Sequence, residues 1–283
     1  MEDLKVPGEL AKSAYELLKK QSKSIEQAVL EAMIKYILKM DISDGILSDT
    51  KKNEEYLAGL NAILDKVLMR TAFGDSVQDY LTNFDTLRDW TIDTQQQINR
   101  LSVSKRLLNK AKKRSINNVV ADMMGEGLHQ VVGRELTRVL EDNIYYGGGI
   151  TDIIKELTDK IQTVTINGED KKLGLFTSHV TTIGRDGLLQ YHGNVNRKII
   201  QEYDLNALRY IGSLVKNSRP QCKRWTRYNK NGERGVILIS QLEAEIEWAK
   251  KNGKGFVKTT TKDNFTRNRG GHGCRHTAIP LRF

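Results

Sequence analysis

Cysteine is almost missing from this chain of 283 residues: there are two, Cys222 and Cys274. That is too few for a disulfide framework, which excludes the small secreted scaffolds that replace a core with cross-links. Proline is as scarce, at Pro7, Pro220 and Pro280 only, so long helices are permitted over nearly the whole length. No apolar run approaches the length that spans a bilayer, and no membrane partner is expected. The opening Met1-Glu2-Asp3-Leu4-Lys5 is acidic and leads into no apolar core, so it does not read as a secretion signal. At 39% hydrophobic and 28% charged residues the chain has the composition of a folded globular protein, with room for one large domain or two smaller ones.

The charge is unevenly spread. The net charge is +10, yet residues 203–283 hold 17 Lys/Arg against 6 Asp/Glu, a net of +11, and the rest is close to neutral. An excess confined to one segment points to a polyanionic partner, most often nucleic acid.

Most of the chain reads as helix. Apolar stripes at helical spacing run from Glu9 to Met40, from Tyr56 to Leu68, and through Val77, Tyr80, Phe84 and Leu87. Ser24-Ile25-Glu26-Gln27 looks like a capping box that breaks the first helix, and Gly74 and Asp75 look like an end and a cap. Val103 to Tyr145 predicts one very long helix or two stacked ones. Its cluster of Lys105, Arg106, Lys110, Lys112, Lys113 and Arg114 reads as a solvated face. Tyr146-Gly147-Gly148-Gly149 is a corner, after which Thr151 or Asp152 would cap. Thr163 to Leu173 reads as a loop or a short hairpin around an Asn167-Gly168 turn, and helix resumes from Leu175 to Tyr203, with His179 and His192 read as structural. Beyond it come a strand or helix end at Tyr210 to Val215 entering a loop, a strand at Val236 to Ile239, and a short helix capped by Ser240 that ends at Asn252-Gly253. The predicted organisation is three consecutive parts: a helical region 1–145, a connection 146–202 and a basic module 203–283. The fold class is mainly α, a long-helix N-terminal part with a small basic α+β C-terminal module.

The chemistry concentrates at the end, in Gly270-Gly271-His272-Gly273-Cys274-Arg275-His276. Residues two apart in an extended segment face one side, so His272, Cys274 and His276 could converge where glycines let the backbone come close. With Cys222 they would make a Cys2His2 set of the right types for tetrahedral zinc. No cofactor is expected otherwise, because the same residues also read as two buried small cysteines and two histidines bonding a glycine-rich turn. A Cys222–Cys274 disulfide is a third arrangement.

Ser218-Arg219-Pro220-Gln221-Cys222, the helix with Ile246-Glu247-Trp248, and Gly270 to His276 followed by Ile279-Pro280 resemble the Mu F-like minor head proteins of tailed bacteriophages, also called head-morphogenesis proteins. The resemblance covers about the last half of the chain. Many such proteins carry a second cysteine soon after the first, where this chain has Lys223, Arg224 and Trp225. The resemblance implies a structural protein and not an enzyme, bound near the portal inside the capsid or neck and present in the host cytoplasm during assembly. Its partners would be the portal protein, other head proteins and packaged double-stranded DNA. Arg219, Lys223, Arg224, Arg227, Arg267, Arg269 and Arg275 would then touch phosphates without sequence preference, with Trp225 and Tyr228 stacking or packing between them. The alternative from another class is a metal-dependent nuclease, in which histidines beside a cysteine hold an ion that activates water. Against it, the motif contains no carboxylate, and its nearest acid is Asp263.

Overall fold

A computed structural model describes residues 6–230, 232–271 and 273–283. The fold is mainly α with small sheets of two or three strands. In order, helix α1 (Val6–Ile37) is followed by hairpin β1 (Ile42–Ser43) and β2 (Ile46–Leu47), then α2 (Lys51–Ala58), α3 (Leu60–Arg70) and α4 (Phe73–Asn99). Next come α5 (Lys105–Met124), a short α6 (Glu126–Leu128) leading through a wide turn into α7 (Arg134–Tyr146), and α8 (Ile150–Ile161). Hairpin β3 (Val164–Ile166) and β4 (Glu169–Lys172) precedes α9 (Leu175–Tyr203). The last stretch holds β5 (Ala207–Ile211), α10 (Pro220–Arg227), β6 (Asn229–Lys230), β7 (Glu233–Arg234), β8 (Val236–Leu238), α11 (Leu242–Asn252), α12 (Phe265–Asn268) and β9 (Thr277–Leu281).

These elements form two compact units, and neither is a continuous stretch. One comprises Met1–Ala14, Leu81–Asn117 and Gly184–Phe283; the other comprises Tyr15–Tyr80 and Asn118–Ile183. The consecutive parts 1–145, 146–202 and 203–283 do not coincide with them. Helices α1, α4, α5 and α9 each pass from one unit into the other. At a rise of about 1.5 Å per residue, helices this long exceed what one small core can cover.

Within the Tyr15–Ile183 unit, Leu18, Ile25, Val29, Met33 and Ile37 of α1 are buried, as are Leu136, Val139 and Leu140 of α7 and Ile153, Leu157 and Ile161 of α8. The spacing gives each helix one apolar face. α1 does not break at Ser24, whose hydroxyl donates to the Gln21 carbonyl inside a continuous helix. Gly74 lies inside the first turn of α4, so it ends nothing, and α3 stops earlier, at Arg70. The long basic stretch does break, at Gly125. The corner at Gly147 is left-handed, with φ 71°, as expected of a glycine C-cap. Gly149, and not Thr151 or Asp152, occupies the N-cap position of α8. Asn167 and Gly168 both have positive φ, which makes the predicted hairpin turn.

The other unit is organised around β5, the centre of an antiparallel sheet in the order β8-β5-β9. Strand alternation divides its side chains. Leu208 and Tyr210 face a core built with Cys222, Trp225, Ile246, Phe265 and Ala278, while Ala207 faces the opposite side with Val236 and Leu281. Thr277–Leu281 forms a strand that its proline gave no reason to expect. Pro280 is tolerated there because β9 is an edge strand, and its carbonyl accepts from Asn99 at 3.0 Å. Ser240 does not cap α11. A tight turn over Ile239–Gln241 leads into it.

Candidate metal-binding cluster and basic face

Three elements of this unit bring the cluster together. β5 carries Tyr210, the first turns of α10 carry Cys222 behind Pro220, and the segment leading into β9 carries Cys274 and His276. Proline at the first position of α10 fits there, since its missing N–H would be unpaired in any case. The glycine-rich turn is not the extended run the alternation suggested: Gly271 has φ 106° and Gly273 φ 65°. Gly270 is needed for contact rather than for φ. A Cβ there would lie 2.4 Å from the Cys222 sulfur and 2.9 Å from that of Cys274. Gln221, fully buried, holds this turn by donating to the Gly270 carbonyl at 2.8 Å and the Lys254 carbonyl at 3.0 Å. Arg219 donates to the same Gly270 carbonyl at 2.9 Å.

Cys222, Cys274 and His276 are buried together, and this group could hold a metal ion. The two sulfurs are 3.7 Å apart and both are free thiols, so the disulfide arrangement is not present. Cys274 Sγ also lies 3.7 Å from His276 Nδ1. His272, the fourth member of the expected set, lies outside the described residues. Tyr210 was not singled out in the sequence, yet its hydroxyl sits 3.5 Å from Cys222 Sγ and 3.4 Å from Cys274 Sγ. Its ring stacks on His276 at 5.3 Å with an interplanar angle of 11°. The available signal was alternation along β5, which puts Tyr210 on the same core face as Leu208.

The cluster is electrostatically lopsided. The hydrogen bond from Cys222 pulls the Cys274 thiol well below its usual range, helped by His276 and the positive charge of Arg269, against burial. The same bond and burial push the Cys222 thiol upward, and burial does the same to the Tyr210 phenol. The two sulfurs are thus pushed in opposite directions, with Cys274 the more acidic of the pair. His276 leaves its Nε2 without a hydrogen-bond partner in a residue only 6% exposed.

Comparison with protein-family models, with curated proteins and with solved structures found no match.

The expected phosphate-contact residues separate in the structure. Arg227, Arg267 and Arg275 are exposed, and Lys223 and Arg219 are half-buried. Arg269 is not available: it is 3% exposed and donates to the Leu189 carbonyl at 2.7 Å. Arg224 is committed to both oxygens of Glu245, at 2.7 and 2.8 Å, and lies over the Trp248 ring at 4.6 Å. Trp225 cannot stack on bases, because it is fully buried and donates its indole N–H to Glu245 at 3.0 Å. Large aromatics bury more area than any other side chain, and this one sits at the centre of the core.

Glu245 is thus a structural carboxylate. Glu245→Ala should destabilise the protein by about 1–3 kcal/mol, because it leaves a buried indole N–H without an acceptor. Glu245→Gln, which keeps an acceptor oxygen, should lose less. Denaturant unfolding of the two variants checks this, and an Ala variant as stable as wild type would remove the assignment.

The grouping also changes how the charge is divided. The unit containing Gly184–Phe283 holds 30 Lys/Arg and 14 Asp/Glu, a net of +16, whereas the other holds 15 and 21, a net of −6. Residues 81–117 supply +5 of the excess, from 8 basic and 3 acidic residues. On α5, Lys105, Arg106, Lys110, Lys113 and Arg114 are exposed. At about 100° per residue they share roughly half the circumference of the helix, opposite buried Leu108. Lys112 points elsewhere, to Asp85 at 2.6 Å.

Proposed function

We propose that this chain is a structural minor head protein of a tailed phage that lies against packaged DNA through its basic unit. The observation that carries the DNA contact is the segregation of charge, +16 on one compact unit and −6 on the other. A surface of that kind neutralises phosphates and releases their counterions, which gives affinity without sequence preference. The contacts are Arg227, Arg267 and Arg275, the half-buried Lys223 and Arg219, and the exposed cations of α5, all in the same unit. The acidic unit, with its long amphipathic helices, supplies surfaces for the portal and other head proteins. The resemblance of the terminal segment to the Mu F-like proteins supports the placement in the head.

The finer reading of the cluster is zinc on Cys222, Cys274 and His276. The donor types suit zinc. Two sulfurs bound tetrahedrally at about 2.3 Å stand about 3.8 Å apart, and a sulfur and a nitrogen about 3.5 Å; the two distances here are each 3.7 Å. Bound zinc would fix the terminal segment to α10 and close the sheet end of the unit.

The test is DNA binding by the full chain, since the basic unit is assembled from three separated stretches and a truncation would dismantle it. Two duplexes of unrelated sequence should bind with equal affinity in fluorescence anisotropy. Replacing Lys105, Arg106, Lys110, Lys113 and Arg114 by glutamine should weaken both at least tenfold, while replacing Lys39, Lys51 and Lys66 of the acidic unit should change neither. Failure of the wild-type chain to bind would overturn the DNA reading. Mass spectrometry of purified heads from the encoding phage should find the chain, and its absence would overturn the placement in the particle.

A further inference from the structure

We infer that the zinc site is a ligand-binding site: the ion held by Cys222, Cys274 and His276 takes its fourth ligand, a phosphate oxygen, from the cavity these three residues line. The inference rests on the zinc reading above. Structural zinc is closed by four protein ligands, whereas three ligands leave a place for an exogenous group. The described residues supply three donors, and all three border a cavity of about 520 Å³. Away from the cavity the sulfurs are already covered. The Gly270 backbone packs against both, and the Tyr210 hydroxyl touches both. Hydrogen bonds of that kind orient metal ligands rather than replace them.

The remaining cavity wall selects the ligand. Lys12, Arg219 and Arg275 line it, and among the described residues Glu9 is its one acid, so the space favours an anion. Ser213 and Ser218 also border it, with hydroxyls able to donate to ligand oxygens. Zinc with an anionic oxygen ligand flanked by arginine and lysine matches phosphate better than a neutral alcohol or an amine. The source is either free phosphate or the terminal phosphate of a nucleic-acid strand.

Cobalt substitution tests this in the full chain. Metal-free protein loaded with Co²⁺ should show sulfur-to-cobalt charge transfer in the near ultraviolet and the visible bands of a tetrahedral site. Titrating inorganic phosphate should shift the visible bands and leave the charge transfer in place. A 5′-phosphorylated oligonucleotide that shifts them at lower concentration than inorganic phosphate, while its unphosphorylated twin does not, identifies a strand end as the source; the reverse order identifies free phosphate. Arg275→Ala, at an exposed position on the cavity wall, should keep the charge transfer and weaken the phosphate response about tenfold. Absence of charge transfer would sink the zinc reading and this inference together. Charge transfer with visible bands that ignore every phosphate would leave the zinc reading standing and overturn the inference, as would occur if His272 supplied the fourth donor.

Discussion

Raising salt from 50 to 200 mM is expected to weaken DNA binding by this protein about 1,000-fold or more, the loss that accompanies six or more phosphate contacts. Eight basic residues stand as candidates: Arg227, Arg267 and Arg275 of the terminal segment and Lys105, Arg106, Lys110, Lys113 and Arg114 of α5, all exposed. The logarithm of affinity should fall linearly with the logarithm of salt, with a slope of about −0.9 for each phosphate neutralised. Removing one contact residue should therefore flatten the slope by about 0.9. Arg269→Gln should not flatten it, because that guanidinium is buried against the Leu189 carbonyl and its loss is felt in stability instead. Anisotropy titrations at four or five salt concentrations measure both quantities. A slope that stays the same when the α5 residues are replaced would show that the helix face does not touch DNA.

Between about pH 6.5 and 4, above the range where the paired carboxylates such as Asp170 and Asp89 take up protons, acid should destabilise the fold through His192. It is fully buried on α9, and burial, aided by the nearby charge of Arg269, depresses its pKa to about 3. Its ring nitrogens are both engaged: Nδ1 pairs with Thr277 Oγ1 at 2.8 Å, and the Asn196 amide donates toward Nε2 at 3.2 Å. The edge of Trp90 packs on the same ring, with centroids 5.5 Å apart. A second proton would have to displace the Asn196 bond and place a charge where there is no water to solvate it. Above about pH 6.5 the imidazole is neutral in both the folded and the unfolded chain, and stability is unaffected. As pH falls from there toward about 3, the unfolded chain binds a proton that the folded one refuses. Stability should then drop by about 1.4 kcal/mol per pH unit. His192→Gln removes this titration, so its thermal midpoint should vary less than that of wild type between pH 6.5 and 4. Parallel pH profiles for the two proteins would show that His192 is not the acid-sensitive group.

The two expectations draw on the same anatomy. β9 and the turn before it run beside His192, through Thr277, and beside the cysteine cluster, through Cys274 and His276. Damage at either place should loosen the edge of the same sheet.

Much of this was legible in the sequence. Apolar spacing in α1, α7 and α8 specified helices with one buried face, and three prolines in the whole chain left few places to interrupt them. Gly147 and Asn167-Gly168 marked turns because only such residues accept positive φ at low cost. The approach of Cys222 to Cys274 was readable as shared chemistry between two arginine-rich segments. Other features had no local signal. Whether a serine caps a helix or bonds inside one, as at Ser24, depends on which carbonyl lies within reach. Arg269 and Arg275 look alike in sequence, yet one is buried with its guanidinium on the Leu189 carbonyl of α9 and the other is exposed.

Periodicity, composition and charge, which are properties of neighbours along the chain, determined the helices, the turns and the basic character of the C-terminal end. Tertiary structure alone decided which residues share a core. Long helices run through both units, so residues 81–117 join 184–283 across a gap in sequence that no local pattern records. That grouping places the α5 cations in the same unit as the terminal arginines. It also brings Tyr210 to two thiols from opposite ends of the module, since a strand fixes the direction of a side chain but only packing fixes what it meets.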